Sequence, residues 1–335
     1  MRWLWRAFPA GCRAVIHHLL VPAHAAGTRL DVWLETQLDG CTRSLVARLI
    51  KQDRCVLENA AGQQQRGKAG LSLRGGERVS LEVPEVEPPT LEPEDVPLTI
   101  LHEDAACIAI AKPPGMVVHP AVGRWHGTLV NALLGRYGSH PGGEAWRPGI
   151  VHRLDEFTSG VILVARNPAA LTFFQDAFRE RRVHKRYLAL MHGAPRADWF
   201  EHAGWLGRHP KDFRKRAVLP EGTQDAREAY TAFAVRERRD GYAVVEARPR
   251  TGRTHQVRVH ATALGHPILA DAVYGRSAIW PLTAGAPEPI LRRQALHAWA
   301  LDVPHPDGGR LRLDAPIPDD LAAWVTPGLM PMPIS

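Results

Sequence analysis

Three segments of this 335-residue chain pack charged side chains beside glycines within apolar surroundings. The first is Lys112-Pro113-Pro114-Gly115-Met116-Val117-Val118-His119-Pro120. The second is His152-Arg153-Leu154-Asp155-Glu156-Phe157-Thr158-Ser159-Gly160, a polar loop between Gly149-Ile150-Val151 and the apolar run Val161 to Ala165. The third is Arg250-Thr251-Gly252-Arg253-Thr254-His255-Gln256-Val257-Arg258-Val259-His260, followed by Gly265-His266-Pro267. Asp155 sits where the chain turns into a strand expected to be buried. A carboxylate there is costly unless an arginine or several donors hold it. Arg250, Arg253 and Arg258 could each do so. An aspartate held this way stays ionised, a poor general acid and a candidate nucleophile. Taken alone, one Asp–Arg pair more often means a structural salt bridge, and Thr158-Ser159-Gly160 reads equally as a turn.

Metal and phosphate-loop chemistry find no support in the spacing. There is no complete Gly-x-x-x-x-Gly-Lys-Ser/Thr phosphate loop, and the 17 histidines are dispersed, with His119, His152, His255 and His266 inside the motifs. Cys12, Cys41, Cys55 and Cys107 form no Cys-x-x-Cys pair, which fits a reducing cytosol.

The elements that must position these segments divide into a small and a large part. Residues 19–84 read as a small α/β unit. Leu30, Trp33, Leu34 and Leu38 recur at helical spacing, and Thr42 is placed to cap a second helix with Leu45, Val46, Leu49 and Ile50 on its buried side. The other side carries Arg43, Arg48, Lys51 and Arg54, all positive. Cys55 to Leu57 and Val79 to Val83 read as strands, with Arg74 to Glu77 as a turn. Residues 1–18 read as an extension without regular structure: Pro9, Gly11, Arg13 and His17-His18 break any signal-peptide core. The Pro- and Glu-rich stretch 85–97 reads as an extended linker. From 98 to 326 strands and helices mix without regular alternation. A hairpin is predicted around His102-Glu103-Asp104, helices over Gly127 to Arg136 and from Asn167-Pro168 through Phe178, and strands at Val161 to Ala165, Tyr187 to Met191, Ala229 to Val235 and Tyr242 to Ala247. Residues 327–335 read as a tail. The fold class is α+β.

Lys plus Arg number 42 against 35 Asp plus Glu, a formal charge of +7 that favours a polyanionic partner. Basic clusters occur at Arg179, Arg181, Arg182, Lys185, Arg186 and at Arg208, Lys211, Arg214, Lys215, Arg216. Nothing approaches the roughly 18 consecutive apolar residues of a membrane span.

Arg153-Leu154-Asp155-x-x-Thr158-Ser159-Gly160 resembles the active-site motif of RluA-type pseudouridine synthases. The Lys112 to Pro120 and Arg250 to His260 segments are similar to two further family motifs in the same order, and Lys185-Arg186-Tyr187 resembles the family's Lys-x-Tyr element. Gly27-Thr28-Arg29-Leu30-Asp31 and Arg43-Ser44 resemble the opening and second helix of a ribosomal-protein-S-four-like RNA-binding domain. Within the family, Gly207 to Lys211 and Arg293 to Ala298 are similar to the subgroup that modifies large-subunit ribosomal RNA. The chain departs from that pattern at Ala270, where many relatives have glycine, and at Ser159, where the subgroup often has threonine.

The resemblance implies a pseudouridine synthase catalytic domain with a mixed, mainly antiparallel sheet, preceded by the small RNA-binding domain. It implies isomerisation of uridine to pseudouridine after base flipping, with no metal and no cofactor. Asp155 would be the essential carboxylate, Tyr187 would stack on the extruded base and assist proton removal, and Arg258, with Arg253 as rival, would pair with Asp155. Arg153 would fill the gap left by the flipped nucleotide. His152, Arg253, Lys112 and Lys185, with Arg43, Arg48 and Lys51 of the small domain, would contact RNA. The expected partner is ribosomal RNA, with transfer RNA or a non-catalytic assembly role as alternatives, and the expected state is a cytoplasmic monomer.

Overall fold

The structure, a computed structural model, describes residues 14–38, 41, 43–84, 91–120, 125–138, 149–212, 214–281 and 290–333. Thr42, residues 1–13 and the 85–90 part of the expected linker lie outside the described residues. The chain divides into two compact units, residues 1–90 and 91–335.

The first unit runs β1 (Ala14–Leu20), α1 (Leu30–Gln37), α2 (Arg43–Lys51), β2 (Cys55–Glu58), β3 (Gln64–Arg66) and β4 (Arg78–Pro84), with an antiparallel sheet in the order β1-β4-β2-β3. Leu30, Leu34, Val46, Leu49, Leu57 and Leu81 fill its core. β1 begins inside the stretch read as an extension through residue 18. The His17-His18 pair hides it, but all seven of its residues pair with β4, so the backbone groups on its inner edge are satisfied although its side chains stay largely exposed.

The second unit holds β5 (Thr99–Glu103), β6 (Cys107–Lys112), α3 (Leu129–Tyr137), β7 (Ser159–Ala165), α4 (Pro168–Arg179), β8 (His184–His192), β9 (Trp199–Arg208), β10 (Arg216–Leu219), β11 (Arg227–Arg239), β12 (Tyr242–Pro249), α5 (Gln256–Ala263), β13 (Leu296–Pro304), β14 (Arg310–Asp314) and α6 (Asp319–Ala322). Its 10-stranded sheet runs β10-β9-β11-β12-β8-β13-β7-β6-β5, with β14 added to β13. Among the described residues, β13–β7 is the one parallel pairing; the others are antiparallel.

Local chemistry explains the helix ends nearest the site. Thr128 caps α3 by accepting the Asn131 amide while the Asn131 side chain accepts the Thr128 amide, and Asn167 caps α4 ahead of Pro168. β7 is buried on both faces, as its Val161 to Ala165 run requires. At its start Gly160 has φ +117, and a Cβ there would lie 2.1 Å from the Ala298 carbonyl oxygen on β13. No side chain fits, so glycine lets β13 close on the end of the Asp155 loop.

The stretch read as a tail is pinned by backbone contacts: Arg236 donates to the Met330 carbonyl and the Met332 amide to Glu246, at 3.0 and 2.9 Å. Among the described residues, no helix is long and apolar enough to cross a membrane.

Candidate active site

The 150–158 loop is anchored on several sides. The Thr158 amide donates to the Asp155 carbonyl at 3.0 Å, closing the turn. The Glu156 carbonyl accepts from the Gly115 amide at 2.9 Å and from Lys112 Nζ at 3.0 Å. Arg293 donates to the Phe157 carbonyl at 3.1 Å while its other nitrogens grip Asp320 at 2.6 and 2.9 Å. Gln294 donates to the Thr158 hydroxyl.

The loop presents Asp155, its side chain 20% exposed, to Arg258, 5% exposed. Arg258 Nη1 donates to Asp155 Oδ2 at 3.0 Å. Its Nε and Nη2 donate to the two oxygens of Asp271 at 2.7 and 2.8 Å, and Asp271 Oδ1 also accepts the Val273 and Tyr274 amides. These donors hold the fully buried Asp271 below the usual carboxylate range despite its desolvation. The Tyr274 ring lies under the Arg258 guanidinium at 5.0 Å, and its hydroxyl meets His255 Nδ1 at 2.8 Å. Arg258 thus bridges two carboxylates, one deeply buried and one facing the cavity.

Arg258 projects from α5, whose entry is fixed by Gln256. The Gln256 amide oxygen accepts from Thr251 Oγ and the Arg253 amide, and its nitrogen donates to the Tyr230 carbonyl and Thr231 Oγ. His255 caps the helix in the left-handed region at φ +59. Arg253, still in the loop, donates through Nε to the Glu228 carbonyl at 3.1 Å.

A cavity of about 460 Å³ is lined by His152, Arg153, Asp155, Lys185, Tyr187, Arg253 and Arg258. Burial, and then the negative Asp155, push the Tyr187 phenol well above its ordinary range, so it stays protonated at neutral pH. Burial, Arg253 and Arg181 push Lys185 down to about 8, and its Nζ donates to the Thr251 carbonyl at 2.8 Å. His152 Nε2 accepts the Leu163 amide at 2.9 Å, its ring stacks on Phe178, and burial with Lys185 pushes it down to about 3. It offers a ring face and no positive charge. Arg153 is exposed on the cavity lining.

Lys112, expected to contact RNA, is instead 1% exposed. Its Nζ donates to the Pro113, Met116 and Glu156 carbonyls at 2.8, 3.0 and 3.0 Å. Burial and Arg293 push it down to about 7 against the pull of Asp155 and Glu156. It ties the first motif to the Asp155 loop. Lys112→Met would leave three carbonyls without this donor, so chemical denaturation should show a loss of about 3 kcal/mol. A change under about 0.5 kcal/mol would be that of an ordinary surface substitution and would reject the tie.

Arg43, Arg48 and Lys51 lie in the first unit. Arg43 is engaged with the buried Asp31, which Arg29 also holds, whereas Arg48 and Lys51 are exposed along α2. Asp271, Tyr274, Gln256 and Arg293 were missed as site residues. Ala270, at φ +53, carries the one sequence signal, because it occupies a left-handed position that favours the glycine of many relatives.

Residues 106–263 match the RNA pseudouridylate synthase family. "Ribosomal large subunit pseudouridine synthase D" of Nitrosomonas europaea is 39% identical over 309 residues, 91% of this chain and 86% of that protein. The protein of the same description from Xanthomonas campestris pv. campestris is 40% identical over 314 residues, 91% of this chain and 90% of that one. The solved structure "Human RNA Pseudouridylate Synthase Domain Containing 1" superposes with a TM-score of 0.52 at 28% identity, covering 70% of this chain and 87% of that one.

Proposed function

This chain belongs to the RNA pseudouridylate synthase family, in its RluD-like branch, and from that premise we propose that it isomerises uridines of large-subunit ribosomal RNA with Asp155 as catalytic carboxylate. The observation that carries the catalytic reading is the Asp155–Arg258–Asp271 arrangement on a cavity that also holds Tyr187. Arg258 positions Asp155 through its 3.0 Å hydrogen bond, while Asp271 holds Arg258.

The reaction breaks the bond between the ribose and a ring nitrogen, turns the uracil, and rejoins it through a ring carbon. The base must leave the stack to reach such a cavity. Tyr187 offers its ring for stacking. Its raised pKa makes the neutral phenol, not a phenolate, the species available to a proton in transit. Arg153, exposed beside Asp155 in sequence, suits the space the nucleotide vacates. Arg253 and Lys185 supply the positive lining that RNA phosphates require. The first unit serves as a ribosomal-protein-S-four-like RNA-binding domain, with Arg48 and Lys51 on the exposed side of α2 as phosphate contacts.

Lys185 sets a pH dependence. Its value of about 8 lies below the ordinary 10.5, so between those pH values the unfolded chain binds more protons than the native one, and stability of the free protein rises with pH. Binding RNA needs the ammonium, so affinity should fall by up to about tenfold per pH unit above about 8 at fixed ionic strength. Lys185→Gln should flatten that fall. Titration of affinity and of melting temperature checks both signs, and an affinity independent of pH up to 10 would remove Lys185 from the interface.

The function itself is tested by carbodiimide mapping of pseudouridines in ribosomal and transfer RNA from cells lacking the gene. The strain is complemented with native protein or Asp155→Asn. Large-subunit sites should vanish and return only with the native protein; loss of transfer-RNA sites instead would overturn the substrate.

A further inference from the structure

Strand alternation turns Arg186 away from its neighbours Lys185 and Tyr187, which face the catalytic cavity. It enters a second cavity, about 230 Å³, lined also by Arg181, Val183, Arg248, Arg250 and Pro333. Arg186 is 9% exposed. Among the described residues no carboxylate pairs with it, and its Nε is buried without a partner. A buried charge left this way is rare, because nothing repays its desolvation.

The strand opposite makes matters worse for the free protein. The register Ala247↔Tyr187 between β12 and β8 sets Arg248 beside Arg186 on the same face. Arg248 Nε is held by Glu246 Oε1 at 2.8 Å and its guanidinium lies 4.9 Å from the Trp199 ring, yet its Nη2 is also buried without a partner. Glu246 cannot serve Arg186 as well, since its other oxygen accepts from Arg236 and the Met332 amide. Like charges directly opposed on a sheet destabilise it unless an anion joins them.

We propose that this cavity is a phosphate subsite, in which Arg186 and Arg248 together grip one phosphodiester of the substrate RNA strand. The proposal rests on the RNA-substrate reading above and adds to it a fixed point for the backbone. Phosphate is favoured because Arg181, Lys185, Pro249 and Arg250 line both cavities, so a strand whose base enters the first carries its neighbouring phosphates past the second. Two guanidiniums offer the forked donors that phosphate oxygens take bidentately.

The test uses the full chain carrying Asp155→Asn, so that RNA is bound and not turned over, with and without Arg186→Met, Arg248→Met or both. Binding of an unmodified large-subunit ribosomal RNA transcript is titrated against salt. Each arginine variant should reduce the slope of log affinity against log salt, and the two combined should reduce it by about 0.7–0.9, the value of the one phosphate they share. The free Arg186→Met protein should melt at or above the temperature of its parent, because an unpaired charge is gone. Inorganic phosphate should raise the melting temperature of the parent and not that of Arg186→Met, with chloride at matched ionic strength as control. An unchanged salt slope overturns the proposal, as does a lower melting temperature of Arg186→Met, or equal stabilisation of both proteins by phosphate. If the parent fails to bind the transcript, the ribosomal substrate is wrong, and the phosphate arm still decides the anion site independently.

Discussion

Asp155→Asn is expected to reduce pseudouridine formation by roughly 10⁴-fold or more while leaving the fold almost untouched. The two effects separate because of how Arg258 is held. Asparagine keeps the shape of the side chain and one oxygen, so Arg258 Nη1 retains an acceptor at that position. The other two guanidinium contacts go to Asp271 and do not change. Asp155 is also partly open to solvent, so its exchange strands no deeply buried charge. A stability change of about 1 kcal/mol or less should follow, the scale of one net hydrogen bond. Single-turnover assays on an unmodified ribosomal RNA transcript would measure the rate, and denaturant titration the stability. Activity within tenfold of native would remove Asp155 from the chemistry. A large loss of stability would instead mean that the loop needs the negative charge as scaffolding.

The site was legible wherever a residue type had no substitute. Gly160 stands against the Ala298 carbonyl, and the Asp155 loop could be found in front of it as a polar interruption between apolar runs. Asn167-Pro168 announced α4 because the cap and the fixed proline angle are local devices. β13 was missed because its buried face includes His297 and Asp302, each satisfied by a distant partner: His297 by Ser159, Asp302 by Arg310 and Arg312. β9 was hidden because Glu201, which is exposed, and His202, which is half-buried, interrupt its apolar pattern. Lys112 was misplaced at the surface because a lysine beside prolines and a glycine suggests an exposed turn. Only the folded chain brings three carbonyls around its ammonium. Arg43 resembled its neighbours Arg48 and Lys51 until the buried Asp31 claimed it. Asp271 was marked only by its neighbour Ala270, at a position many relatives fill with glycine, since its importance lies in what Arg258 does with it. Local patterns carried the motifs, and the partners that hold the motifs together come from tertiary contacts.

Arg258→Met should therefore be more damaging to the molecule than the loss of Asp155. It leaves Asp271 fully buried with backbone amides on Oδ1 and no cation for Oδ2, and it releases Asp155 at the same time. Removing one member of a buried ion pair costs about 3–5 kcal/mol, which for a unit of this size lowers the melting temperature by about 10 °C. Arg258→Lys should not rescue it, because one ammonium cannot span both carboxylates with the forked geometry that the two contacts to Asp271 use. The informative variant is Arg258→Met combined with Asp271→Leu. Replacing both charged partners by apolar groups removes the stranded carboxylate, so most of the lost stability should return. Activity should not, because Asp155 still lacks the arginine that positions it. Calorimetry and single-turnover assays on the three proteins would read the two effects apart. Recovery of activity with stability would assign Arg258 a purely structural role, and a single variant as stable as the native protein would mean that Asp271 does not depend on Arg258 for its charge.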